Sequence, residues 1–121
     1  MPKKVLIFDD DPLNRRFFKD VLTSEGYDAI AIEKADEAAS RAREEMPDLI
    51  VMDMCMPEID GIEATRRLKQ DEELADIPII GVTALARVDH IGLASDDGFA
   101  ECLRKPVSIP GLLRSVGRRL N

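Results

Sequence analysis

The sequence is poor in several things, and each shortage excludes something. It has only two cysteines, Cys55 and Cys102, among 121 residues. Two cysteines make no disulfide framework and suit a reducing, cytoplasmic setting. It has a single histidine, His90, with no second histidine or acid at ligand spacing; it reads as a surface residue rather than a metal ligand. No apolar run is long enough to cross a bilayer, and no N-terminal stretch resembles a secretory signal, so membrane insertion is not expected. Positive charge is in deficit, with Lys+Arg 17 against Asp+Glu 24 and a net charge of -7. The basic residues are dispersed, in clusters no longer than pairs such as Arg66-Arg67 and Arg118-Arg119. That balance argues against DNA and anionic membrane surfaces as partners. There is no internal repeat, low-complexity tract or linker.

What is present is a globular composition, 45% hydrophobic and 34% charged, of a length that suits one domain over residues 1–121. The organising stretch runs from Asp48 through Leu49-Ile50-Val51-Met52 to Asp53, then into a turn marked by Pro57 and Gly61. Its apolar run is too short for a typical helix and reads as a strand buried on both faces. A carboxylate ending such a strand is poor packing material. In open α/β sheets, ligands sit in the crevice beyond that end.

The rest of the chain alternates. Val5–Phe8 reads as a strand ending in Asp9-Asp10-Asp11. Leu13, Phe17, Phe18, Val21 and Leu22 recur at helical spacing up to Gly26, with Asp11 as cap and Pro12 in the first turn. Tyr27–Ile32 is a strand. Ala35, Ala38, Ala39, Ala42 and Met46 mark a helix ended by Pro47. Ile62–Gln70 is a helix with Arg66, Arg67 and Lys69 toward solvent, and Glu63 with Arg67 is an i,i+4 pair worth a few tenths of a kcal/mol. Ile77–Val82 is a strand ending on Thr83. Residues 86 to 97 read as a poor helix: Gly92 costs about 1 kcal/mol against alanine, and Asp96-Asp97 oppose the helix dipole. Phe99–Leu103 is a short strand before Arg104-Lys105-Pro106. Ile109, Leu112, Leu113, Val116 and Leu120 mark a last helix capped by Ser108.

Five strands alternating with five helices, (βα)5, imply a doubly wound parallel sheet with helices on both faces. In strand order 2-1-3-4-5 the switch point lies between the first and third strands, where Asp9, Asp10 and Asp53 converge. Three close carboxylates resist ionising together unless a cation joins them. A hard divalent ion with oxygen ligands, Mg²⁺ or Mn²⁺, is the natural solution. With Lys105 and Thr83 at neighbouring strand ends, the set is equipment for stabilising a phosphoryl group, and Asp53 is the best-placed nucleophile.

These residues resemble the receiver domain of two-component response regulators, over the whole chain. The resemblance is carried by Asp9-Asp10 after Val5–Phe8, Asp53 within the stretch from Leu49 to Gly61, Thr83-Ala84 after Ile79–Val82, and Lys105-Pro106. The finer resemblance is to stand-alone, DivK-like cell-cycle regulators. It implies a flavodoxin-like, CheY-like fold and a place in a phosphorelay. Asp53 would take a phosphoryl group from the phosphohistidine of a histidine kinase or phosphotransfer protein. Asp10 would ligate Mg²⁺ directly, Asp9 mainly through water, and the Cys55 backbone carbonyl would be a further ligand. Thr83 and the Ala84 amide would contact the phosphoryl oxygens, Lys105 would pair with them, and the bond before Pro106 would be cis. Phosphorylation would draw Thr83 inward and shift the 86–97 face. The monomer would signal to a downstream protein, or dimerise when phosphorylated.

Two positions depart from the family pattern. Cys102 stands three residues before Lys105, where an aromatic is usual, and Phe99 stands where a small residue is usual. This implies an altered output face, with signalling through the first and last helices. Arg15-Arg16 would face either solvent or an acidic partner. Two other classes of function compete. A phosphorylation-independent binding module is favoured by Cys102 and opposed by the intact acids. An enzyme on the same fold is opposed by detail. A flavodoxin needs a hydroxyl-rich phosphate loop where Asp9-Asp10-Asp11 stand, and a haloacid-dehalogenase-type phosphatase needs a second Asp at position 55. Self-catalysed phosphorylation and slow dephosphorylation at Asp53 are the expected chemistry, without a turnover enzyme.

Overall fold

The computed structural model describes residues 2–54, 61–83 and 98–120. In chain order these form β1 (Lys4–Phe8), α1 (Pro12–Ser24), β2 (Asp28–Ile32), a 3₁₀ turn (Ala35–Glu37), α2 (Ala38–Glu45), β3 (Leu49–Asp53), α3 (Gly61–Gln70), β4 (Ile79–Thr83), β5 (Glu101–Arg104) and α4 (Ile109–Leu120). The strands make one parallel sheet in the order β2-β1-β3-β4-β5. The helix read over residues 86–97, and with it His90, lies outside the described residues.

The alternation of side chains along each strand feeds two cores. Val5, Ile7, Val51, Ile80 and Val82 pack against Phe18 and Leu22 of α1 and Leu112 and Val116 of α4. Leu6, Phe8, Ile50, Met52 and Ile79 pack on the opposite face against Ala38 and Ala42 of α2 and Ala64 and Leu68 of α3. Every residue of β3 and β4 is buried. That double burial is why both strands read as near-continuous apolar runs.

Several local expectations need correction. The helix read from Ala35 to Met46 is a 3₁₀ turn followed by eight α-helical residues. Met46 ends the helix as a left-handed cap at φ 45 and is 56% exposed, and Pro47 after it cannot continue the helix. Leu13 and Ile109, read as core positions, are 76% and 49% exposed. Both sit in the first turn of their helices, beyond the carboxyl edge of the sheet. Ile77 and Phe99 precede their strands instead of beginning them, though both are buried. Lys69 is half-buried, and its ammonium donates to the carbonyl oxygens of Ala75 at 2.9 Å and Ile77 at 2.8 Å.

Phe99 has a specific seat. A Cβ on Gly81 would stand 2.8 Å from the Phe99 ring, so the glycine makes the room the ring occupies. Gly81 is the register partner of Cys102, which packs against the same core cluster as Phe99. The aromatic bulk missing at position 102 is supplied beside it.

Candidate functional site at the carboxyl edge of the sheet

The two central strands, β1 and β3, pair with Phe8 opposite Met52. The next residue of each, Asp9 and Asp53, therefore emerges at the same level of the carboxyl edge. Both are almost wholly buried, at 1% and 4% exposure, whereas Asp10 is exposed. Ligand oxygens of Asp9, Asp10 and Asp53 all lie within 4.8 Å of one another.

Lys105 reaches this cluster from the far side of the sheet. Thr83 at the end of β4 pairs with Arg104 at the end of β5, and the Lys105 N–H donates to the Thr83 carbonyl at 2.7 Å. The Lys105–Pro106 peptide bond is cis. The ammonium stands 3.4 Å from Oδ2 of Asp9 and 3.4 Å from Oδ2 of Asp53. Burial works to lower its pKa, but the charges of Asp9 and Asp53 and the hydrogen bonds to them outweigh that and hold it above the ordinary lysine value. Thr83 is buried beside them.

The loop after β1 is braced at Asp9 and Asp11. Oδ1 of Asp9 accepts the Asp11 N–H at 2.9 Å. Oδ1 of Asp11 accepts the Leu13 N–H at 2.9 Å and caps α1. The Asp9 carbonyl accepts from Arg15 Nη1 at 2.9 Å. Beneath Asp53, Gly61 opens α3, with its N–H donating to the Met54 carbonyl at 3.2 Å. A Cβ there would collide with the Asp53 carbonyl oxygen and come 2.9 Å from Met52 Cγ, so α3 starts this close to β3 only because residue 61 is glycine.

Asp9, Asp10, Asp53, Thr83 and Lys105 thus share one edge. Cys55 and Ala84 lie outside the described residues. Cys102 is a free, half-buried thiol whose pKa burial pushes up, helped by the Glu101 charge. The donor set fits a hard cation. Three carboxylates converge, two of them buried, and the oxygen-only chemistry suits Mg²⁺. Two features escaped the sequence reading. One is the Arg15 contact, which no spacing rule announces. The other is a groove of about 510 Å³ beside Lys105, lined by Leu13, Asn14, Phe17, Phe18, Pro106 and Val107. Its signal was Leu13, an apolar residue on the first turn after an acidic loop.

The chain is similar to several known proteins. The sequence matches the model of the response regulator receiver domain over residues 5–117. It is 40% identical over 116 residues to the polar-differentiation response regulator DivK of Brucella anthropi, covering 96% of this chain and 94% of that one. Its fold superimposes on the chemotaxis protein CheY4 of Vibrio cholerae with a TM-score of 0.92 at 25% identity, over 99% of this chain and 100% of that one. The receiver domain of the sensor histidine kinase PA1611 of Pseudomonas aeruginosa PAO1 aligns with a TM-score of 0.89 at 28% identity, covering 98% of each chain. That structure holds a magnesium ion coordinated in its active-site cleft.

Proposed function

The chain belongs to the response regulator receiver family, and from that premise we propose that it is a phosphorylation-controlled signalling protein of the DivK type, with Asp53 as phosphoryl acceptor. The observation that carries the proposal is the meeting of Asp9, Asp10, Asp53 and Lys105 at one edge.

In the proposed reaction a carboxylate oxygen of Asp53 attacks the phosphorus of a phosphohistidine on a histidine kinase or phosphotransfer protein. The new O–P bond forms as the N–P bond breaks, and the imidazole nitrogen keeps the electron pair. Burial of Asp53 in a low-dielectric edge strengthens every charge interaction there. Lys105, poised between Asp9 and Asp53, balances the phosphoryl oxygens, and Thr83 supplies a hydroxyl donor. Asp9, Asp10 and Asp53 would hold Mg²⁺, with the Cys55 carbonyl as a further ligand; the ion supplies neutralisation of phosphoryl charge. The Ala84 amide is proposed as a second donor to the phosphoryl group. The product is an acyl phosphate that slowly hydrolyses, so the protein is a switch and not a turnover enzyme.

The partners proposed are a histidine-phosphorylated protein and a downstream protein target, met in the cytoplasm as a monomer or a phosphorylation-dependent dimer. The groove beside Lys105, with exposed Leu13 at its rim, is the proposed seat for the phosphohistidine domain. No helix among the described residues is long and apolar enough to cross a membrane.

The test is intact mass after incubation with acetyl phosphate and Mg²⁺, with Asp53→Asn alongside. A phosphoryl adduct that requires Mg²⁺ and is lost in the variant supports the proposal. No adduct from acetyl phosphate or a candidate kinase would instead favour a binding module that works without phosphorylation.

A further inference from the structure

The Asp10 carboxylate is exposed and makes no hydrogen bond or ion pair among the described residues. Asp9 is different: both its carboxylate oxygens are engaged, Oδ1 by the Asp11 amide and Oδ2 by Lys105. Among the described residues no side-chain contact holds Asp10, so the protein directs it only through the backbone that sets its Cα–Cβ bond. The peptide plane entering Asp10 contains the Asp9 carbonyl, and that carbonyl is held by Arg15 Nη1 at 2.9 Å. Asp9 N–H donates to Ile32 O at 3.2 Å and Asp11 N–H is bound by Asp9, so Arg15 completes the clamp on this loop.

The choice of partner is informative. Arg15 is half-buried on α1, four to six residues after Asp11, Asp10 and Asp9, yet among the described residues its guanidinium forms no ion pair. It donates to a main-chain oxygen. A guanidinium kept for charge balance would close on a carboxylate, where charge-assisted and bidentate bonds are stronger. Its neighbour Arg16 does so, lying 3.7 Å from Asp20 with a side chain 82% exposed.

We propose that Arg15 is a positioning residue for the cation site: its hydrogen bond to the Asp9 carbonyl orients the 9–10 peptide and so aims the unbraced Asp10 carboxylate at the ion. The inference rests on the cation-site reading above. Arg15 touches neither the ion nor the phosphoryl group and acts through Asp10.

Charge and positioning pull in opposite directions, which makes the idea testable. Removing a nearby positive charge lowers repulsion and would tighten binding of a divalent cation. Removing an outer-shell orienting contact would weaken it, by about tenfold on the usual scale for such partners. The experiment is the Mg²⁺ dissociation constant by titration calorimetry for the wild-type protein, Arg15→Met, Arg15→Lys, Arg16→Met, Asp10→Asn and the Arg15→Met/Asp10→Asn double variant. The proposal expects weaker binding in Arg15→Met, partial recovery in Arg15→Lys, and little change in Arg16→Met. It also expects no further loss when Arg15→Met is added to Asp10→Asn, because the aim of residue 10 no longer matters there. Unchanged or tighter binding in Arg15→Met, or full additivity in the double variant, would overturn it while leaving the cation site intact. A wild-type protein that binds no Mg²⁺ would remove the cation-site reading itself, and this inference with it. Thermal melts of each variant separate weak binding from lost folding: an Arg15→Met protein that melts like wild type and binds weakly supports the proposal. Should Arg15→Met unfold, the Arg15→Lys comparison and its double variant with Asp10→Asn decide it on the same criteria.

Discussion

Gly61 reads in the sequence as a turn residue, and the structure gives it another reason. Its φ is not in the left-handed region; the constraint is the Asp53 carbonyl, which a Cβ would strike. Gly61 thus couples the start of α3 to the backbone of the proposed acceptor. Gly61→Ala is expected to destabilise the fold by about 1–3 kcal/mol, the usual range for forcing an extra methyl into a packed site, as read from urea denaturation. It should also slow phosphorylation by acetyl phosphate, because the strain displaces Asp53 first. Wild-type stability and rate in that variant would show that α3 yields freely and that the close approach is incidental. At this scale the acids were legible and their braces were not. A carboxylate after a buried apolar strand advertises itself, whereas the Arg15 contact depends on a side chain folding back across its own helix start.

Strands and helices were legible wherever one chemical period ran unbroken. β3 and β4 are buried on both faces, so their apolar runs marked them unmistakably. Misreadings fell at ends, where neighbours and not period decide. Lys69 shows why. A lysine on the polar side of a helix reads as solvated, but the loop from Asp71 to Ile77 folds back beneath it and supplies two carbonyls. Burial lowers the Lys69 pKa, and the charge of Asp76 only partly opposes this. The folded pKa is then below that of the unfolded chain, about 10.4. Between those two values the unfolded chain binds more protons, so stability rises with pH through that window and is lost again as pH falls through it. Lys69→Met should remove this upward slope and cost about 1 kcal/mol at neutral pH, since two carbonyls lose a donor. Urea denaturation of both proteins from neutral pH to about 10.4 checks it; identical pH profiles would mean the ammonium is not buried in solution. The opposite slope from Lys105, whose pKa is raised, is common to both proteins and cancels in the comparison.

Across the whole molecule, charge is unevenly spent. A chain of net charge -7 gathers three carboxylates at one sheet edge, with Lys105 between two of them. Like charges held together cost stability that a bound cation returns. Mg²⁺ at a hundredfold excess over its dissociation constant should stabilise the folded protein by about 2.7 kcal/mol, which for a domain of this size raises the melting temperature by on the order of 10 °C. NaCl at equal ionic strength should give a small part of that rise, and Asp53→Asn should lose most of it. Equal shifts with NaCl and MgCl₂ in a thermal melt would mean that general screening, and no specific site, is responsible.

The sequence by itself determined the fold class, through apolar runs that alternate with amphipathic helices. It also carried the resemblance to the family, through acids, a threonine and a lysine placed where strands stop; the strand order β2-β1-β3-β4-β5 was assumed from that fold class and is set by strand pairing in the structure. Only the tertiary structure decided how those residues hold one another. It set Lys105 between Asp9 and Asp53, seated Phe99 over Gly81 beside Cys102, brought Arg15 onto the Asp9 carbonyl and left Leu13 on the rim of a groove. These contacts join residues whose relation appears only when strands lie side by side or a helix turns back on its loop. Patterns along a chain report periodicity and burial; distances between side chains are set by packing, which no single stretch contains.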